Sequence, residues 1–86
     1  MNNIEKIAKQ ILAAEDISVK NFIQKVSDDF ETQSYDVPFI KTRANLLKID
    51  LKGKEREITN LINSSLVKAV PGIIREALWT YSIIDD

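Results

Sequence analysis

The chain has 86 residues, of which 44% are hydrophobic and 29% are charged, and its formal net charge at pH 7 is −1. This length fits one domain at most, and the composition is typical of a globular protein rather than a disordered one. Because cysteine and histidine are both absent, disulfides, thiolate metal sites and histidine-based catalytic triads are excluded. We therefore predict a protein that is not an enzyme and that uses no metal or cofactor.

The N-terminal residues lack the basic and apolar regions of a signal peptide, and no stretch contains 18 uninterrupted apolar residues. We accordingly expect a cytoplasmic, intracellular protein that does not associate with membranes.

Two helices are predicted in the first 30 residues. Helix 1 should begin at Asn3, because Asn2 and Glu5 have the spacing of a capping box, and it should end near Ala14. Ser18 is a suitable cap for helix 2. The apolar stripes of the two helices are Ile4, Ile7, Ala8, Ile11 and Leu12, and then Val19, Phe22, Ile23, Val26 and Phe30.

The third predicted helix follows Asp36, which can cap it. Helical spacing continues to Leu51, and Gly53 can end the helix in a left-handed conformation. Its stripe is Val37, Ile40, Ala44, Leu47 and Leu51. The segment from Leu47 to Lys52 also alternates with a period of two, as a half-buried strand does. We predict a helix, since the chain offers no second strand, and leave open an extended segment that pairs with another chain.

The stretch from Lys54 to Ile84 is the most apolar part of the chain, and we expect the other helices to pack on it. Pro71 cannot donate a backbone hydrogen bond, so it should separate helix 4 from helix 5, with a kink in one long helix as the alternative. The stripes are Ile58, Leu61, Ile62, Leu66, Ala69 and Val70 in helix 4, and Ile73, Ile74, Ala77, Leu78, Tyr81 and Ile84 in helix 5. The predicted fold is all-α, with residues 1–86 forming a single-domain bundle of four to five short helices.

Several apolar residues fall outside these stripes and indicate a binding surface. In helix 5, Trp79 and Ile83 point away from the apolar stripe, and Arg75 lies on the same side as they do. In helix 3, Phe39 and Leu46 likewise point away from the apolar stripe of that helix. Such residues must be covered by another part of the chain or by a partner. We therefore predict that these five residues bind a partner. The predicted function is non-catalytic protein–protein interaction by an adaptor, assembly or regulatory subunit, including self-association.

A basic stretch supports an alternative function. Residues 41–56 contain two acidic residues and six basic ones, which are Lys41, Arg43, Lys48, Lys52, Lys54 and Arg56. Such a stretch can contact phosphates, and the alternative is a small helical DNA-binding domain. Neither aromatic nor glycine-rich segments accompany these cations, so we do not expect nucleic acid to be the partner. We also infer no small-molecule substrate.

Residues 49–66, which read IDLKGKEREITNLINSSL, resemble the second half of the DEK C-terminal domain, and residues 4–30 are loosely similar to its first half. The resemblance implies a helical, DNA-associating module whose core positions include Leu51, Ile58, Ile62 and Leu66. Residues 31–48 would be an insertion relative to that domain, and the resemblance supports only the alternative function.

Overall fold

The computed structural model describes residues 3–28 and 34–80, apart from the side chains of residues 77–80. The described residues form five α-helices, which confirms the predicted all-α bundle. A short 3-10 helix at Glu15–Ile17 precedes the second of them. The five are α1 (Asn3–Leu12), α2 (Val19–Asp28), α3 (Val37–Leu46), α4 (Glu55–Ala69) and α5 (Gly72–Thr80). None of these helices is long and apolar enough to cross a membrane.

Side-chain caps fix the starts of α2 and α3 where the sequence predicts them. The backbone N–H of Asn21 donates to Oγ of Ser18 at 3.2 Å. The N–H of Phe39 donates to Oδ1 of Asp36 at 2.9 Å. Each cap satisfies a backbone donor that has no partner within its own helix. Helix α1 begins at Asn3 as predicted, whereas Asn2, its predicted cap, and Phe30 lie outside the described residues.

Helix α4 is the centre of the fold, because it packs against α1, α2, α3 and α5. Its predicted core residues Ile58, Ile62 and Leu66 are at most 2% exposed. Being covered on several sides, α4 also buries Thr59, Asn63 and Val67, which extends the buried arc beyond the predicted stripe. Ala69 lies outside this arc and is exposed, so its predicted burial is wrong.

Pro71 separates α4 from α5, as predicted. Val70 has an extended backbone, with φ −84° and ψ 157°, which is the conformation favoured before proline. In α5, Ile74 is half-buried against the core, but Ile73 is 85% exposed. The prediction for Ile73 is wrong because neighbouring residues on a helix point about 100° apart, and Ile74 faces the core. The other predicted stripe positions of α5 lie outside the described side chains.

The end of α3 differs from both sequence alternatives. The helix stops at Leu46, five residues before Leu51, and the following segment is not a strand. Lys48 has φ 59°, its N–H donates to the Asn45 carbonyl at 3.1 Å, and the N–H of Ile49 donates to the Ala44 carbonyl at 2.8 Å. This pair of bonds is a Schellman motif, in which a left-handed residue ends the helix and reverses the chain.

Two further consequences follow for the predicted stripe of helix 3. Leu47 is 42% exposed, so its predicted burial is wrong, whereas Leu51 is buried after the chain reverses. Gly53 has the predicted left-handed conformation, with φ 73°, but it belongs to a turn ahead of α4 rather than to the end of α3. In that turn the Lys54 N–H donates to the Leu51 carbonyl.

Candidate interaction surface

The end of α3 and its connection to α4 carry two of the three large apolar residues that are exposed in the described part of the chain. We call residues 46–54 the α3–α4 corner. Leu46 and Leu47 are 64% and 42% exposed there, and the three lysines of the corner, Lys48, Lys52 and Lys54, are exposed as well. Exposed apolar residues that adjoin one another indicate an interaction site, whereas isolated ones are ordinary on a protein surface.

The corner has a defined backbone despite its exposure. Besides the Schellman motif, Oδ1 of Asp50 accepts the N–H of Lys52 at 2.9 Å. Lys52 and Gly53 both have positive φ, which is the pattern of a type I′ turn. Leu51 is buried and Ile49 packs against the core, so the segment is anchored between its two turns. The leucines and lysines therefore project from a fixed frame.

A shallow groove of about 540 Å³ is lined by α3, by residues 49–51 of the corner and by the start of α4. Ala44, Ile49 and Leu51 give it apolar walls, and its polar lining is Lys41, Thr42, Asn45, Asp50 and Glu55. The mixture of hydroxyl, amide and charged groups offers directional hydrogen bonds beside the exposed leucines.

Phe39, a predicted partner-binding residue, is partly covered by the protein itself. Its ring stacks on Tyr35 with centroids 4.8 Å apart, and the guanidinium carbon of Arg43 lies 5.2 Å from its centroid. The ammonium of Lys25 lies 5.6 Å from the Tyr35 ring, so the four side chains form a continuous series of cation–π and aromatic contacts. Leu46 lies two turns further along the same face of α3 and remains exposed.

Asp16 connects this aromatic series to the 3-10 helix. Nε of Arg43 forms an ion pair with Oδ2 of Asp16, although its N–H is not aligned for a hydrogen bond. The Tyr35 hydroxyl donates to the Asp16 carbonyl oxygen at 3.3 Å. Burial raises the pKa of Tyr35 above its ordinary value, and the negative charge of Asp16 adds to the effect. Arg43 is thus held by an intramolecular partner.

Asn63 positions the start of α3 and was missed by sequence reasoning. Its Oδ1 accepts the backbone N–H of Tyr35 at 3.0 Å, and its Nδ2 donates to the Tyr35 carbonyl at 2.9 Å. The side chain is buried, so it replaces the water that both backbone groups would otherwise bind. Helical spacing could have found it. If Val67 is included in the buried face of α4 together with Leu66, Asn63 lies between these two residues on the helix surface and is expected to be buried.

The predicted partner-binding residues of helix 5 are not gathered into a described patch. Arg75 is exposed, but its guanidinium donates to the carbonyl oxygens of Lys68 at 2.7 Å and Val70 at 3.4 Å. It therefore caps the end of α4. Trp79 lies in α5, but the structure does not describe its side chain, and Ile83 is not among the described residues. Their predicted role stays a prediction.

The basic stretch is only partly available for a ligand. Arg43 is paired with Asp16, and the ammonium of Lys54 lies 3.7 Å from Oε1 of Glu57. Lys48 and Lys52 are exposed on the corner, and Lys41 and Arg56 are exposed on the helices that flank it. The predicted cations thus lie on α3, on the corner and at the start of α4, with acidic residues among them.

Groups of three or more acidic side chains that could hold a metal ion do not occur in ranges 3–28 and 34–80. No family model, curated protein or solved structure matches this chain.

Proposed function

We propose that this protein is a non-catalytic protein–protein interaction module of the intracellular space, and that the α3–α4 corner is its principal contact surface. The observation that carries the proposal is the pair Leu46 and Leu47, 64% and 42% exposed side by side on a fixed backbone. Burying them against a partner would remove apolar area from water at about 25 cal/mol per Å².

The surroundings of the leucines support a protein contact. The corner also carries exposed lysines, and a groove of mixed polar and apolar lining begins at the neighbouring Asn45; this matches the arrangement of an apolar interface centre within a polar rim. Of the five residues predicted from sequence, Leu46 fits this role directly. Phe39 contributes through the part of its ring that Tyr35 and Arg43 leave uncovered.

Site-specific photo-cross-linking in the native host tests the proposal. A photoreactive amino acid replaces Leu46 in one variant and Lys20, which is exposed on α2, in the control. We expect cross-linked products from position 46 that are destroyed by protease and resist nuclease. The same purified variant, irradiated alone, would give a product of twice the mass if the partner is a second copy.

Nuclease-sensitive products from position 46 would contradict the proposal and favour the DNA-binding alternative. Equal products from both positions would show that the corner has no special role.

A further inference from the structure

The charge of the chain is segregated around the α3–α4 corner. Residues 41–56 carry six basic and two acidic residues, a net charge of +4, whereas the remainder carries six basic and eleven acidic residues, a net charge of −5. The exposed leucines therefore lie in a strongly basic region of a chain whose remainder is net acidic. Interfaces pair potentials of opposite sign, so the surface that fits this region is acidic as well as apolar.

We propose that the corner binds an acidic amphipathic segment of a partner protein. Leu46 and Leu47 would contact the apolar side chains of that segment, and Lys48 and Lys52 its carboxylates. The inference rests on the proposed function and adds the chemical class of the partner to it.

A second copy of this chain fits less well, as its described surface shows. The acidic side chains Glu5, Glu15 and Asp28 are exposed on elements whose large apolar residues are buried or half-buried. Large exposed apolar residues in the described part of the chain are confined to the two leucines and Ile73. At these three elements, a copy would thus offer charge to the corner without a large exposed apolar residue on the same element.

A membrane or a nucleic acid also matches only part of the corner. Phosphates would attract the lysines, but a nucleic-acid backbone offers nothing apolar to the leucines. The carboxylates of Asp50, and of Glu57 beside Lys54, would face the continuous negative charge of an anionic lipid surface, whereas a peptide can place its acidic residues away from them. An amphipathic helix can turn one face to the leucines and place its acidic residues at the lysines, in the manner of helix-in-groove recognition.

The test uses the full chain and a fluorescent peptide of roughly 18 residues, about five helical turns, built from leucine on one face and glutamate on the other. A scrambled peptide of the same composition and a version with glutamine for glutamate are the controls. At about 0.15 M salt we expect the acidic amphipathic peptide to bind at least roughly tenfold more tightly than either control.

Paired variants assign the binding to the corner. Leu46→Ser with Leu47→Ser should weaken it roughly tenfold or more. Lys48→Asn with Lys52→Asn removes two charges while asparagine tolerates the left-handed backbone, so it should weaken binding and flatten its salt dependence. Ile73→Ser, at the other exposed apolar site, should leave the affinity unchanged. Circular dichroism verifies that each variant is folded.

The inference would be overturned if the acidic peptide did not bind, or if it bound no more tightly than the scrambled peptide. It would also be overturned if both corner variants bound the acidic peptide as tightly as the wild-type protein does. Tighter, corner-dependent binding to phosphatidylserine vesicles or to duplex DNA would overturn it too. If the peptide fails while cross-linking at position 46 still yields protein products, the acidic class is wrong and the proposed function stands. If both experiments fail, the corner is not a protein-binding surface.

Discussion

Asn63 is the residue on which the attachment of α3 depends most directly. Its amide satisfies both backbone groups of Tyr35 inside the core. Losing one partner of a buried hydrogen bond leaves the other with its full desolvation cost. A substitution that exchanges only the amide nitrogen of Asn63 for an oxygen therefore tests this hydrogen bond.

We expect Asn63→Asp to lower the free energy of unfolding by at least about 1–3 kcal/mol at pH 7. The introduced carboxylate cannot donate to the Tyr35 carbonyl and would be buried with a charge. At pH 4 the protonated carboxyl can donate again, so the loss should be smaller there. Urea denaturation at both pH values measures the difference. Asn60→Asp, exposed on the same helix, is the matched control and should change stability by less than about 0.5 kcal/mol. Equal effects at the two positions would contradict the role of Asn63.

Tyr35 makes the stability of the protein depend on pH in the alkaline range. Its pKa in the folded state is raised above the ordinary value of 10.0 by burial and by Asp16. The unfolded chain therefore loses the tyrosine proton first as the pH rises, and the folded state loses stability above about pH 10. Below that pH, both states hold the proton and this group contributes no slope.

We expect the wild-type protein to lose more stability between pH 9 and pH 11 than Tyr35→Phe does. Lysines also titrate in this range, and the comparison removes their common contribution. Denaturant unfolding across the range measures both proteins. Parallel curves would show that Tyr35 titrates alike in the folded and unfolded states.

At the scale of elements, the end of α3 is held by a residue that is unfavourable in its conformation. Lys48 has φ 59°, where a side chain costs about 1–2 kcal/mol relative to the right-handed region and glycine does not. The Schellman hydrogen bonds and the burial of Leu51 offset this cost.

Lys48→Gly should therefore raise the free energy of unfolding by about 0.5–1 kcal/mol, since the relief of strain exceeds the added entropy of the unfolded chain. Lys41→Gly, at an exposed position within α3, should instead lower it by about 1 kcal/mol. Thermal or urea unfolding of the two variants measures whether each change raises or lowers the free energy of unfolding. A loss of stability in both variants would contradict the conformational argument.

Helix α4 carries most of the packing, and Leu66, in its last turn, is 2% exposed. Leu66→Ala should cost about 2–5 kcal/mol, because it removes apolar contacts and leaves a cavity. The control is Leu46→Ala, at the exposed corner, which should cost less than about 0.5 kcal/mol. Melting temperatures of the two variants measure the contrast, and a near-unchanged value for Leu66→Ala would contradict the central position of α4.

The same elements show what the sequence can and cannot predict. Ser18 and Asp36 were identifiable because a cap acts on residues two or three positions away. The end of α3 was not, since Lys48 and Lys52 adopt left-handed backbone that sequence reasoning assigns to glycine or asparagine. Asn63 was missed because its partner is 28 residues away in the chain. Leu46 could be singled out from helical spacing, whereas Leu47 required the position of the chain reversal.

At the scale of the whole molecule, the charge distribution predicts how the protein responds to duplex DNA. The net charge is −1, and two of the six cations of residues 41–56 are in ion pairs. Tight duplex binding requires several free phosphate contacts and falls steeply with salt.

We accordingly expect no measurable binding to duplex DNA at about 0.15 M salt, as measured by fluorescence anisotropy. Lys52→Glu with Lys54→Glu is the control for any signal at lower salt and should abolish it, because each lysine contributes through charge. A tight, salt-sensitive complex of the wild-type protein that this double variant abolishes would make the DNA-binding alternative the better one.

The hydrogen bond between Asn63 and Tyr35 also makes the separation of α3 from α4 observable at a single backbone amide. The Tyr35 amide precedes α3 and is bonded to a side chain of α4, not to a neighbouring turn. Fraying of α3 alone leaves that bond intact, whereas separation of α3 from α4 breaks it. Hydrogen–deuterium exchange at this single amide therefore measures the opening free energy of one helix against another. Should partner binding at the corner hold α3 against α4, this amide will slow its exchange although it contacts no ligand.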